Sequence, residues 1–160
     1  MGCNDESCLN YCTAVECDPT CPLGRQCGNQ RFRRRADLSQ HLQPFPTLRR
    51  GYGLRTLAPI KAGQFIMEYR GEVISLATSM ERMRTEYANM TSYYFLDYDD
   101  GETIDGTRKG TVVRFANHSC SPNCHVEKWQ VGGEFAIGLF ANRDIPVNSE
   151  LTYDYNFQAV

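Results

Sequence analysis

Six of the eight cysteines lie within the first 27 residues, and thiols at this density indicate either disulfide bonds or a bound metal. They are Cys3, Cys8, Cys12, Cys17, Cys21 and Cys27. We find no secretory signal at the start and no apolar run long enough to span a membrane, so we expect a reducing compartment. Zinc is then favoured over disulfides, because closely spaced thiolates can point at one tetrahedral centre.

A second reactive stretch is the polar run Asn117-His118-Ser119-Cys120, which follows an apolar segment. A thiol beside an imidazole is one way to build a nucleophile, as cysteine hydrolases do. We discount such a pair here. Neighbours two residues apart on an extended segment point the same way without facing each other, so His118 and Cys120 should not meet.

Two further stretches carry weaker signals. In Gly51-Tyr52-Gly53, glycines flank an aromatic ring, which allows the backbone to approach a ligand closely. The spacing is not that of a dinucleotide or phosphate loop. Near the C-terminus, strand alternation places Tyr153 and Tyr155 on one side. Taken singly, these stretches are also consistent with an ordinary turn and a pair of packed aromatic rings.

The elements that must position these residues are mostly short strands. Residues 64–69 and 92–98 are rich in β-prone side chains, and each predicts a strand. Residues 126–131 and 135–139 flank Gly132-Gly133 and predict a hairpin. With abundant turn residues and one clear helix, the pattern indicates a β-rich α+β fold.

The helix is predicted near residues 76–88, where apolar side chains recur at helical intervals. Those side chains are Leu76, Met80, Met83 and Tyr87, and we expect them to fill the core. Residues 31–50 are polar and contain two prolines, which predicts an irregular linker.

Length and charge narrow the class of protein. With 160 residues the chain has the size of one domain, with a small cysteine-rich appendage in front. A net charge of -2 gives no global sign of a nucleic-acid binder. One local basic run can contact a phosphate backbone or simply form a solvated surface. It consists of Arg31, Arg33, Arg34 and Arg35.

Taken in order, the three stretches resemble the SET domain of lysine methyltransferases. The matching motifs are Gly51-Tyr52-Gly53, residues 114–124 and residues 150–155. Residues 8–10 and 16–30 resemble the AWS (associated-with-SET) module, which precedes the SET domain in one branch of histone methyltransferases. The resemblance covers about residues 8–157, nearly the whole chain.

This resemblance implies a SET fold, built of small β-sheets with a knot-like crossing of the C-terminal segment and one main helix. A small cysteine-rich zinc module, truncated at its N-terminus, should occupy residues 1–30. Residues 31–50 should be a linker. Residues 51–160 should form the SET domain, without the post-SET segment that usually follows.

The resemblance also implies a cofactor, S-adenosylmethionine, and the residues that bind it. Those residues are Arg50, Gly51, Tyr52, Gly53, Arg114, Asn117 and His118, with Tyr52 in place of a tryptophan common in close relatives. Tyr155 matches the tyrosine beside the transferring methyl group. Tyr93 and Tyr153 should line the channel that admits the substrate lysine.

In the family, seven cysteines of the AWS module hold two zinc ions and share one bridging thiolate. Here Cys3 matches the bridge and Cys8 the second zinc, and three further ligands complete the first: Cys17, Cys21 and Cys27. The usual upstream pair is missing, so one site should be complete and the other cut in half. Cys12 has no counterpart. Cys120 matches a ligand of a post-SET zinc whose other ligands are missing, so we expect that zinc to be absent.

The zinc module and the final motif look most like those of Ash1-type enzymes, which modify lysine 36 of histone H3. That resemblance implies a monomeric catalytic domain of a larger nuclear, chromatin-associated protein, with the H3 tail in nucleosomes as its substrate. No membrane partner is expected. Without a post-SET segment the activity should be weak. Two alternatives stay open: an enzyme for another histone or non-histone lysine, and a non-catalytic chromatin-binding module.

Overall fold

The computed structural model describes residues 2–155, which fold into short strands arranged in four small sheets, with two helices. The strands are β1 (Leu42–Pro46), β2 (Tyr52–Thr56), β3 (Phe65–Tyr69), β4 (Glu72–Ser75), β5 (Phe95–Asp99), β6 (Glu102–Asp105), β7 (Asn117–His118), β8 (Cys124–Val131), β9 (Glu134–Ala141) and β10 (Thr152–Tyr153). The helices are α1 (Leu9–Cys12) and α2 (Leu76–Arg84). The β-rich fold expected from the sequence is confirmed.

The central sheet has the order β3-β9-β8 and is antiparallel throughout. Its middle strand carries Ile137 and Leu139, both almost fully buried in the main core. β8 and β9 form the predicted hairpin. Gly132 and Gly133 have φ values of 60° and 85°, and a two-residue turn of this hand matches the twist of the strands.

The second three-stranded sheet, ordered β4-β6-β5, supports helix α2. The helix begins after Ser75, whose side chain caps it by accepting a hydrogen bond from the Thr78 backbone nitrogen at 3.1 Å. The predicted helix is confirmed over residues 76–84. Residues 85–88 lie beyond its end at Arg84.

The prediction that four apolar side chains of this region fill the core is wrong for two of them. Leu76 and Met80 are 55% and 51% exposed, whereas Ser79 is buried. The helix packs through the side that carries Ser79 and Arg82, because the Arg82 guanidinium reaches the fully buried Asp105 carboxylate on β6 at 2.7 Å. A polar contact, which periodicity does not detect, sets the rotation of the helix.

The prediction of an irregular linker over residues 31–50 is also wrong in part. Residues 42–46 form β1, which pairs antiparallel with β2 from Leu42↔Thr56 to Pro46↔Tyr52. Proline is tolerated in this position because β1 is an edge strand of a two-stranded sheet.

The C-terminal segment, for which a crossing was expected, pairs with the polar run. β7 and β10 pair in parallel, with Asn117 opposite Thr152 and His118 opposite Tyr153. The Ser119 backbone nitrogen extends the pairing by donating to the Tyr153 carbonyl at 3.1 Å. Asn123 adds a side-chain link, since its Nδ2 donates to the Glu150 carbonyl at 2.8 Å.

Residues 2–30, which we call the cysteine module, are attached to the central sheet by a backbone bridge and to the segment that follows them by a buried carboxylate. Val15 forms a parallel bridge with Gln130 on β8. The buried Glu16 carboxylate accepts hydrogen bonds from the backbone nitrogens of Phe32 and Arg33 at 2.8 and 2.9 Å. Burial raises the pKa of Glu16, although these hydrogen bonds oppose the effect.

Three arginines of the basic run make contacts within the protein. The Arg31 guanidinium lies 5.0 Å from the ring centres of both Trp129 and Phe140. Arg33 Nε lies 3.8 Å from a Glu16 carboxylate oxygen, and Arg34 Nη2 donates to the Gly24 carbonyl at 2.7 Å. Within residues 2–155, no helix has the length and apolar character needed to cross a bilayer.

Candidate active site and cysteine cluster

A cavity of about 410 Å³ opens beside the β7–β10 pair and is lined by residues from both ends of the SET-like region. Its volume lies within the range of small-molecule sites, about 300–1,000 Å³. Of the residues expected to bind the cofactor, it is lined by Arg50, Tyr52, Arg114 and Asn117. Of the expected lysine-channel residues, Tyr93, Tyr153 and Tyr155 line the same cavity. Segments more than 60 residues apart in sequence therefore meet at one site.

Arg50, Tyr52 and Asn117 are held by contacts between the β1–β2 turn and β7. Arg50 Nη1 donates to the His118 carbonyl at 2.8 Å, and Asn117 Nδ2 donates to the Tyr52 carbonyl at 3.3 Å. The exposed Tyr52 ring packs against Phe115, with 6.0 Å between ring centres. An aromatic wall is therefore retained at the position where tryptophan is usual.

The two glycines of this stretch are required for different reasons, and neither lines the cavity itself. Gly51 has a φ of 64°, a left-handed conformation that favours glycine. At Gly53, an added Cβ would lie 2.8 Å from Glu150 Oε1 and 2.9 Å from Thr47 Cγ2. The backbone at Gly53 is therefore packed directly against the side chains beneath the cavity.

Tyr153 and Tyr155 stand side by side, with ring centres 4.8 Å apart. The Tyr155 hydroxyl donates to the Ala116 carbonyl at 2.6 Å, which fixes the phenol against the segment leading into β7. Burial raises the pKa of both phenols. Both groups consequently stay protonated at neutral pH and act by hydrogen bonding, not as bases.

Tyr93 is held by stacking instead of hydrogen bonding. Its ring lies nearly parallel to the buried Tyr87 ring, at 6.2 Å and an interplanar angle of 15°. The Tyr87 hydroxyl in turn donates to the buried Asp105 carboxylate at 2.7 Å. Tyr93 is thus linked, through Tyr87, to the ion pair between Asp105 and Arg82 that orients helix α2.

Arg114 and two aromatic residues that sequence reasoning missed, Tyr69 and Tyr94, also line the cavity. The Arg114 guanidinium stacks 4.8 Å from the Phe115 ring and donates to the Gly106 carbonyl at 2.9 Å. Tyr94 follows Tyr93 directly, so the paired tyrosines were a usable signal. Tyr69 ends a buried strand, and nothing local in the sequence marks it as part of a site.

The expectation that His118 and Cys120 would not meet is wrong. His118 Nε2 lies 3.3 Å from Cys120 Sγ, because the chain bends after β7 instead of staying extended. The pair is nevertheless not arranged as a base and a nucleophile. His118 Nδ1 accepts a hydrogen bond from the Tyr155 backbone nitrogen at 3.1 Å, so a neutral ring carries its proton on Nε2 and donates to the thiol.

The cysteine module brings four of the five expected zinc ligands together. The Sγ atoms of Cys3, Cys17, Cys21 and Cys27 all lie within 4.8 Å of one another and can hold a metal ion. Two of them, Cys3 and Cys21, are 3.9 Å apart, close to the separation that Zn–S bonds of about 2.3 Å produce in a tetrahedron.

Cys8 and Cys12 differ from these four. Cys8 Sγ lies 3.9 Å from Cys17 Sγ but is not one of the four thiols that cluster together. Cys12 is exposed and its thiol donates to the Glu6 carbonyl at 3.3 Å. This thiol therefore lies apart from the cluster.

Comparison with known families accounts for both regions. The model of the SET domain matches residues 51–156, and the model of the AWS domain matches residues 1–35. The chain belongs to the SET-domain family, with an AWS domain in front.

Relatives with curated names cover almost the whole chain. It is 45% identical over 153 residues (95% of this chain, 7% of the relative) to "Histone-lysine N-methyltransferase ash1" of Drosophila melanogaster. It is 46% identical over 155 residues (96% of this chain, 31% of the relative) to "Histone-lysine N-methyltransferase ASHH1" of Arabidopsis thaliana. It is 42% identical over 158 residues (98% of this chain, 6% of the relative) to "Histone-lysine N-methyltransferase, H3 lysine-36 specific" of Homo sapiens. The chain thus spans less than a third of each of these relatives.

Proposed function

We propose that this chain is the catalytic part of an S-adenosylmethionine-dependent protein lysine N-methyltransferase, which adds one or two methyl groups to lysine 36 of histone H3 in nucleosomes. One observation carries the proposal. The β7–β10 pair places Asn117 and Tyr155 on the same cavity, which is also walled by Tyr52. The names of the relatives supply the substrate, since one of them is specific for this lysine.

The residues around the cavity fit the cofactor in charge and shape. Arg50 offers a cation for a carboxylate, and Asn117 offers a polar amide. Tyr52 supplies a flat apolar face. When bound, S-adenosylmethionine supplies an activated methyl group and a positive charge, which lowers the pKa of a lysine ammonium beside it.

The substrate lysine must lose its proton before it can accept a methyl group. With an ordinary pKa of about 10.4, holding it neutral at pH 7 costs about 4.6 kcal/mol. Among residues 2–155, those that line the cavity include two arginines and no carboxylate or histidine. Nearby cations and a dry aromatic wall both disfavour the ammonium form, so solvent can take the proton without a protein base. The rate should therefore rise with pH until the bound amine is deprotonated.

The tyrosines then align the neutral amine. Tyr155 is anchored to the Ala116 carbonyl, and its hydroxyl oxygen keeps a lone pair that can accept a hydrogen bond from the amine. Tyr93 and Tyr153 restrict the path by which the side chain enters. Such alignment is the main requirement, because the methyl group is already activated.

Tyr153 also bears on how many methyl groups are added. Its side chain is buried at the cavity, and a hydroxyl there occupies space that a third methyl group would need. We therefore expect mono- and dimethylation. Mass spectrometry of a saturating reaction should show little trimethyl product, and abundant trimethyl product would contradict this part of the proposal.

The cysteine cluster fits structural zinc, with Cys3, Cys17, Cys21 and Cys27 as ligands of one ion. Cys8 would belong to a second ion that Cys3 bridges. Four thiols and no open position match structural rather than catalytic zinc sites. In this role the metal stabilises the folded state of a segment that has few buried aliphatic side chains.

A nuclear, chromatin-bound location follows from a nucleosomal substrate, and we propose a monomeric catalytic domain from the family resemblance alone. Of the basic run, Arg34 and Arg35 are exposed, while Arg31 is packed among aromatic rings. We infer that any contact of this run with nucleosomal DNA is made chiefly by Arg34 and Arg35, since phosphate binding needs a reachable cation.

The test is methyl transfer from labelled cofactor to nucleosomes that carry single lysine-to-arginine changes in histone H3. Only the nucleosome in which lysine 36 of H3 is replaced by arginine should lose the label. Tyr155→Phe should lower the rate about 100-fold, because an aligned hydrogen-bonding group is lost at the reacting centre.

Tyr98→Phe is the matched control, since the Tyr98 hydroxyl also donates to a backbone carbonyl, that of Phe135 at 2.8 Å, but does not line the cavity. Loss of label on a different nucleosome would favour an enzyme for another lysine. Nucleosome binding without any transfer would favour a non-catalytic chromatin module.

A further inference from the structure

Glu150 precedes β10 by two residues, and its side chain contacts the cavity residue Asn117. Glu150 Oε1 accepts a hydrogen bond from Asn117 Nδ2 at 3.0 Å. The same nitrogen donates to the Tyr52 carbonyl at 3.3 Å. A single amide group therefore joins the segment before β10, strand β7 and the start of β2.

These two hydrogen bonds fix which way the Asn117 amide faces. Both protons of Nδ2 are directed at oxygen acceptors. Turning the amide over would place its Oδ1 against a carbonyl oxygen and a carboxylate oxygen, so two attractions would become two repulsions. Because Glu150 is the charged acceptor, it contributes the larger share of this preference.

The remaining atom of the amide, Oδ1, is left as an acceptor on a residue that lines the cavity. Within residues 2–155, the Asn117 side chain forms hydrogen bonds through Nδ2 only, and the residue lines the cavity. A hydrogen-bonded carboxylate behind the amide also polarises it and makes Oδ1 a stronger acceptor. A ligand group that carries only donors and a positive charge is the best match.

We propose that Glu150 is a positioning residue, which holds Asn117 so that its Oδ1 binds the ammonium group at the amino-acid end of the cofactor. This inference rests on the proposed function and refines it. A primary ammonium has three donors and no acceptor, so it pairs with Oδ1 and is repelled by a flipped amide. Arg50, which lines the same cavity, suits the carboxylate of that amino-acid end. Glu150 thereby makes the site selective for a zwitterionic ligand.

The test compares two ligands that differ only in the amino group: S-adenosylhomocysteine and its deaminated analogue, which keeps the carboxylate. Binding of each is measured by calorimetry. Glu150→Ala should weaken the binding of S-adenosylhomocysteine about tenfold, which is the loss expected for one hydrogen bond to a charged group. The binding of the analogue should weaken less than twofold. Glu127→Ala is the control, because Glu127 is also partly exposed but pairs with His125 instead.

A double-variant comparison tests whether Glu150 acts through Asn117. Asn117→Ala should reproduce the selective loss, and adding Glu150→Ala should then cause no further loss. Should Glu150→Ala fail to fold, Glu150→Gln provides the same comparison. Its neutral amide oxygen is a weaker acceptor, and we expect a loss of about threefold for S-adenosylhomocysteine alone.

The positioning role would be overturned if Glu150→Ala weakened the binding of both ligands equally or of neither. It would also be overturned if the losses in affinity multiplied in the double variant. In each of these cases the unmodified chain still binds S-adenosylhomocysteine, and the proposed function stands. A folded, unmodified chain that does not bind S-adenosylhomocysteine would overturn both.

Discussion

The cysteine module and the cavity are assembled in opposite ways. The four clustered thiols all come from residues 3–27, a single short stretch of the chain. The cavity draws on segments between residues 50 and 155, brought together by β7–β10 pairing and by side-chain hydrogen bonds. By our proposal, the shape of the first region depends on a bound zinc ion and that of the second on the folded core, so different substitutions should disrupt the two regions.

The largest expected effect is loss of the metal cluster. Cys17→Ser should release zinc and unfold the cysteine module, because structural zinc contributes binding free energy on the order of 10 kcal/mol. Cys12→Ser is the matched control, since that exposed thiol lies outside the cluster. Zinc stoichiometry and thermal unfolding measure both variants. Equal zinc content in the two would contradict a role for Cys17 as a ligand.

The next largest effect should come from the buried carboxylate that supports the cavity. Asp105 is fully buried, and it accepts hydrogen bonds from Arg82, Tyr87 and Thr107. Asp105→Asn should lower the free energy of unfolding by about 3 kcal/mol, the cost of breaking a buried ion pair. Urea unfolding measures it, with the exposed Asp97→Asn as the control.

Asp105 should also give stability a pH dependence. Burial alone would raise its pKa, but the hydrogen bonds from Thr107, Tyr87 and Arg82 outweigh it and leave the pKa lowered. A lowered pKa stabilises the fold above the ordinary value of about 3.9 and loses that contribution as the pH falls through the folded value. Asp105→Asn should flatten this acid-side decline. If the loss of stability at acid pH were unchanged in Asp105→Asn, other groups would be responsible for it.

A smaller effect is expected beneath the cavity at Gly53. Gly53→Ala should cost about 2 kcal/mol, because the added methyl group meets the side chains of Glu150 and Thr47. Gly51→Ala introduces no clash but occupies a left-handed backbone, and about 1 kcal/mol is expected. Thermal unfolding of the two variants should preserve this order. The reverse order would show that Gly53 is not tightly packed.

The smallest effect concerns Arg31, which directly follows the cysteine module and contacts the central sheet. Arg31 lies over Trp129 and Phe140 of the central sheet, and Arg31→Met should cost about 1 kcal/mol through the lost cation–π contacts. Arg35→Met, at an exposed position, should be neutral for stability. A measurable loss at Arg35 with none at Arg31 would contradict the placement of Arg31 among the rings.

The sequence predicted where the strands and the helix lie in the chain better than it predicted which face of the helix is buried. The β8–β9 hairpin and strand β3 follow from alternation and glycine placement, and both are confirmed. The exposure of Leu76 and Met80 did not follow from periodicity, because a buried ion pair between Arg82 and Asp105 decides how the helix sits. A distant partner of this kind leaves no local pattern.

The site was predictable where motifs carry it and not elsewhere. Seven residues taken from the motif resemblance do line the cavity, whereas Tyr69 reaches it only through the tertiary fold. The contact between His118 and Cys120 was missed because extended geometry was assumed for a segment that bends. The roles assigned to the motif residues stay predictions until they are tested.

Hydrogen–deuterium exchange with and without S-adenosylhomocysteine tests most directly whether three distant segments form one cofactor site. Protection should appear together in residues 50–54, 114–120 and 151–155, with little change in the cysteine module or in the β8–β9 hairpin, neither of which lines the cavity. No protection in these segments, or protection confined to another part of the chain, would contradict the account.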